Sequence, residues 1–203
     1  MLTKKKLAVG LSDLAQGDED LAAVLDRYGP PPLWSRKPGF PTLVQIILEQ
    51  QVSLAAAKAA FERLQNTLVE VTPEGLLSLD DGELRAIGFS RQKARYCRAL
   101  SRSIVDGRFD VKGLSRLSDG EAKESLMSLV GIGRWTADIY LLMALRRPDI
   151  WPKGDLALAK AAQQVKNLAE LPDQDGLEKL AESWKPWRAV AARVLWHHYL
   201  SSD

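Results

Sequence analysis

The chain has 203 residues, 46% of them hydrophobic and 27% charged, a composition that excludes global disorder and suffices for one domain with a sizeable core or two small packed lobes. A formal charge of +2 permits a polyanionic partner without demanding one. Cys97 stands alone and the only histidines are the adjacent His197 and His198, which excludes an internal disulfide and any four-cysteine zinc or iron-sulfur centre. The run LAVGL behind Lys4, Lys5 and Lys6 is too short for a signal peptide or a membrane span, so a soluble intracellular protein is expected.

Nearly every segment repeats at helical rather than strand period, predicting an all-α protein of about ten short helices. DEDLAAVLDRYG (18–29) forms an amphipathic helix stopped by Gly29 and the triple proline 30–32. GPPPLWSRKPGFP (29–41) is an ordered connector rather than a tether if its aromatics, Trp34 and Phe40, are buried. FPTLVQIILEQ then places Leu43, Ile46, Ile47 and Gln50 on one helix face, and VSLAAAKAAFERLQNTLVE adds an alanine-rich helix. Thr72 with Pro73 marks a helix start. SRQKARYCRALSRSIVDG is a basic helix whose charges read mostly as a solvated face, with Arg91 and Lys93 nearest its start. Ser118 and Glu121 make a capping box, and Pro186 opens a last helix, PWRAVAARVLWHHYL.

LVGIGR (129–134) joins the helix that starts at Ser118 to the helix Trp135 to Leu145. Two glycines one residue apart allow positive φ and leave backbone amides unshielded. Amides at a helix start attract an anion such as a phosphate. Leu129, Val130 and Ile132 can plug the turn into the core, and Arg134 adds charge where a phosphate would lie. The bland alternative is a tight connection in which glycine only permits the turn. Asp155, just before LALAKAAQQVKNL, reads by itself as a helix N-cap worth about 1 kcal/mol.

Residues 129–160, LVGIGRWTADIYLLMALRRPDIWPKGDLALAK, resemble the helix-hairpin-helix plus Gly/Pro-Asp motif of base-excision DNA glycosylases. FPTLVQIILEQQVSLAAA (40–57) and WKPWRAVAARVLWHHY (184–199) resemble the matching segments of the 3-methyladenine DNA glycosylase II branch, so the resemblance runs from about Leu33 to Tyr199. It implies one all-α domain over residues 1–203, made of two helical lobes with a cleft between them, residues 1–33 as an N-terminal helix and connector, and the hairpin at about 118–146. The N-terminal β-rich domain of larger branch members has no counterpart here, and Trp34 and Phe40 are candidates to replace its pocket wall.

By the same resemblance Asp155 is the catalytic aspartate, and Gly131, Gly133, Arg134 and Thr136 hold a DNA phosphate. Backbone carbonyls of Met127, Leu129 and Ile132 are the positions for a monovalent cation, Na+ or K+; no other cofactor is implied. Trp135 and Trp196 line a base pocket, with Tyr140, Ile139 and Phe40 as further members. Gln50, Gln51 and Ser53 enter the minor groove, Gln51 as the wedge behind the flipped base. Trp135 stands where bifunctional relatives carry a Schiff-base lysine, and Lys153 and Lys160 do not occupy that position, so water is the expected nucleophile.

The implied activity is monofunctional excision of alkylated purines, 3-methyladenine and 7-methylguanine, from duplex DNA by a monomer. The implied location is cytoplasmic, at the nucleoid in a bacterium, or nuclear in a eukaryote. Three rivals stay open at this point: a non-enzymatic hairpin module, a glycosylase for hypoxanthine, uracil or etheno adducts, and a helical protein-interaction domain. A pure binder needs neither Asp155 nor the paired tryptophans.

Overall fold

The computed structural model describes residues 1–202. Among them there is no strand, and twelve α-helices follow one another: α1 (Lys4–Gly17), α2 (Glu19–Tyr28), α3 (Phe40–Glu49), α4 (Leu54–Thr67), α5 (Pro73–Ser78), α6 (Asp81–Ile87), α7 (Arg91–Val105), α8 (Asp119–Met127), α9 (Arg134–Ile139), α10 (Leu156–Val165), α11 (Gln174–Ala181) and α12 (Arg188–Ser201). Past Ile139 the α9 helix widens into a π turn over Tyr140–Ala144. No helix is long and apolar enough to cross a membrane.

The chain divides into two compact units, Arg36–Tyr140 and the combination of Met1–Ser35 with Leu141–Asp203. In the first, α3 contributes Leu43, Val44, Ile46, Ile47 and Leu48 to the core and packs on α4, α7 and α9. Helices α5 and α6 pack on α7, and α8 packs on α9. In the second unit α12 is the central helix, buried from Ala189 through Trp196, with α1, α2 and α10 against it. Its Arg193 is fully buried and donates to the carbonyls of Leu33, Ala189 and Leu142. Burial lowers that guanidinium to about 10, and the three carbonyls compensate the lost hydration.

Helix starts follow the sequence closely. Thr72, Ser90, Ser118 and Asp155 each accept a hydrogen bond from the first turn they open, and Ser118 with Glu121 completes the capping box. Helices α1, α6 and α11 are elements that sequence periodicity did not mark; in α1 three lysines and Gly10 obscure the apolar stripe of Leu7, Leu11 and Leu14. Gly10 marks a close approach: a Cβ there would lie 2.9 Å from the Trp187 ring. In the connector Phe40 is buried but Trp34 only half-buried, and Arg36 makes a bidentate pair with Glu49, both bonds 2.9 Å.

Candidate active site

In the Arg36–Tyr140 unit the hairpin between α8 and α9 is held from three sides. Gly131 has φ +86, and a Cβ on it would lie 2.1 Å from Tyr96 Cγ, so both the backbone and the Tyr96 ring require glycine there. Gln50 Nε2 donates to the Gly131 carbonyl and to Thr136 Oγ1, each at 2.9 Å. Lys123 of α8 pairs with the fully buried Asp138 of α9, and Arg134 lies 3.9 Å from the same carboxylate. Asp138 is the one acid in the apolar run WTADIYLL, a signal that a buried ion pair staples the two helices.

Gly133 behaves differently from its neighbour. Its φ is −90, an ordinary extended value, and a Cβ on it meets nothing within 4 Å. The expectation of two glycines at positive φ therefore holds for Gly131 only. No side chain caps the α9 start, so the opening beside Gly133 faces backbone amides and the positive end of the helix.

Several expectations need correction. Val130 is 56% exposed, so only Leu129 and Ile132 plug the hairpin into the core. Thr136 is buried with its hydroxyl turned to Gln50. Tyr140, Ile139 and Phe40 are buried, as Trp196 is, and the Tyr140 hydroxyl accepts from the Gly39 amide. Lys93 Nζ donates to the Leu48 carbonyl at 2.6 Å, which ties α7 to α3. Gln50 is likewise tied down, whereas Gln51 is exposed at φ +56 and Ser53 caps α4. Trp135, at the α9 start, is half-buried.

In the other unit Asp155 caps α10: its Oδ1 accepts from Leu158 N at 2.9 Å and from the Trp196 indole N–H at 3.3 Å. Two donors orient one carboxylate, which sequence spacing alone could not pair because α10 and α12 are separate helices. Trp196 is 9% exposed, while Leu156, next to Asp155, is 58% exposed. Lys153 is bound to Glu178 at 2.6 Å and Asp175 at 3.1 Å, and those hydrogen bonds, Glu178 foremost, raise its pKa above the ordinary amine value. Lys160 is exposed on α10.

The family model "HhH-GPD superfamily base excision DNA repair protein" matches residues 44–186. DNA-3-methyladenine glycosylase 1 of Schizosaccharomyces pombe is 30% identical over 94% of this chain and 86% of its own length. DNA-3-methyladenine glycosylase 2 of Escherichia coli is 27% identical over 92% of this chain and 68% of its own. A solved S. pombe 3-methyladenine DNA glycosylase in complex with abasic DNA superposes with a TM-score of 0.79 at 28% identity, over 94% of this chain and 95% of that one. The chain belongs to the helix-hairpin-helix/GPD superfamily of base excision DNA repair proteins, in its DNA-3-methyladenine glycosylase branch.

Proposed function

We propose that the chain is a monofunctional DNA glycosylase that hydrolyses the N-glycosidic bond of alkylated purines, 3-methyladenine and 7-methylguanine, in duplex DNA. The observation that carries this reading is the Asp155 carboxylate, fixed by Leu158 N–H and the Trp196 indole. A purine alkylated at a ring nitrogen is cationic, so it leaves without protonation by a general acid and stacks on electron-rich indoles. The indole of Trp196, which is hydrogen-bonded to Asp155, is assigned to it. Extrusion from the duplex costs a few kcal/mol, and the exposed Gln51 is assigned to fill the vacated space.

Departure of the base leaves positive charge on the sugar. A carboxylate held in advance stabilises that charge without reorganising, and Asp155 then accepts a proton from the attacking water. The hairpin seats a phosphate at the Gly133 opening, where a side chain would obstruct the approach. A monovalent cation, Na+ or K+, is assigned to the carbonyl oxygens of Met127, Leu129 and Ile132, which are neutral hard donors at the end of α8 and in the turn behind it; the Leu129 oxygen also accepts from Ile132 N. Bound there, the ion would supply positive charge to the phosphate. One copy of the chain acts on one damaged site.

The amines support water as the nucleophile. Trp135 is not a lysine, and Lys153 is held as an ammonium by two carboxylates, which removes its lone pair. The expected product on alkylated duplex is an abasic site in an intact strand, cut only after alkali. Borohydride added during turnover should trap no protein–DNA adduct; a trapped adduct would assign lyase chemistry and overturn the monofunctional reading.

A further inference from the structure

Three successive residues at the end of α3 are fastened to three different elements of their unit. The Leu48 carbonyl accepts from Lys93 of α7, the Glu49 carboxylate grips Arg36 of the connector, and the Gln50 amide reaches the hairpin. The next residue is Gln51, exposed and held at φ +56. Left-handed backbone at a residue other than glycine persists only where its surroundings over-determine it. The fastenings on 48, 49 and 50 supply that determination, and Gln50 links it to the hairpin.

We propose that Gln50 is a positioning residue that couples the phosphate-binding hairpin to Gln51, so that a phosphate seated on the hairpin sets the wedge in register with the duplex. The proposal deepens the reading of the hairpin and Gln51 given above and rests on it. The residue type fits the task. The Gly131 carbonyl and Thr136 Oγ1 both accept, and a primary amide carries two N–H groups on one nitrogen, enough for both at 2.9 Å. An ionised Glu of the same shape has none and would face the Gly131 carbonyl with a like-charged oxygen. Gly131 is also the residue that Tyr96 pins, so the hairpin cannot follow a displaced Gln50 without moving that ring. The coupling therefore runs through a peptide that is braced on both sides.

The test uses a duplex with a tetrahydrofuran abasic analogue facing 2-aminopurine, whose fluorescence reports insertion into the gap. The wild-type chain should change that fluorescence on binding. Gln50→Glu should lose most of the change and bind this duplex about tenfold more weakly, while its affinity for undamaged duplex falls by less than about threefold. Thr136→Val, which removes one of the two acceptors, should lie between; it carries the test if thermal denaturation shows Gln50→Glu to be unfolded. Gln51→Ala should cost little more in the Gln50→Glu background, since the wedge is already misplaced. Wild-type fluorescence in the Gln50 and Thr136 variants would overturn the coupling, as would independent, multiplying effects of positions 50 and 51 or equal losses on both duplexes. A chain that gives the expected fluorescence results but releases no base overturns the glycosylase reading and leaves the coupling standing. Base release without any fluorescence change does the reverse.

Discussion

Asp155→Asn is expected to keep the fold and to lower excision of alkylated purines about a hundredfold to a thousandfold, the range seen when one preorganised electrostatic contact is removed. Asparagine preserves the cap, because its carbonyl oxygen accepts from Leu158 N and Trp196 as Oδ1 of Asp155 does, and Asn caps helices about as well as Asp. Only the negative charge beside the developing oxocarbenium ion is lost. Single-turnover release from a duplex with one alkylated purine, corrected for spontaneous loss of the base, measures the effect. Thermal denaturation checks that the variant is folded. A folded variant with the wild-type rate would remove Asp155 from the chemistry.

The second large effect falls on Gly131, and it is a stability effect. Gly131→Ala combines a left-handed backbone at φ +86 with a Cβ placed 2.1 Å from Tyr96 Cγ. Strain and overpacking together should destabilise the chain by about 2–4 kcal/mol. Adding Tyr96→Ala should recover the steric part and leave the backbone part. Gly133→Ala is the contrast: with φ −90 and nothing within 4 Å, it should leave the melting temperature almost unchanged. Its methyl group should nevertheless weaken duplex binding about tenfold, because it stands where a phosphate must approach backbone amides. Wild-type affinity in Gly133→Ala would take the phosphate anchor away from this turn.

These two glycines show where sequence reading reached and where it stopped. The pair G-x-G announced the turn, but not that Gly131 is required by an aromatic ring and positive φ while Gly133 leaves an opening. The helices were legible because periodicity and caps are local: Ser118 with Glu121, and Asp155 before an apolar run, declare themselves within four residues. Helix α1 was not, since its stripe is diluted by Lys4–Lys6 and its Gly10 answers to Trp187, far along the chain. Resemblance named Asp155 and Trp196 separately; only the fold pairs them in one hydrogen bond. It also grouped Gln50 with Gln51, and the geometry separates them, one turned to the hairpin and the other outward. Tyr140 is a related case: its place on a helix is local, but the bond its hydroxyl accepts from the Gly39 amide joins residues 101 positions apart.

The central claim is hydrolytic release of alkylated purines. Incubating the wild-type chain with methylated duplex DNA and separating the soluble products by chromatography tests it most directly. The account predicts free 3-methyladenine and 7-methylguanine, intact and without attached sugar, accumulating above the spontaneous rate and almost absent with Asp155→Asn. No released base above that background, from a folded chain that binds the duplex, would contradict it and leave a DNA-binding module in its place.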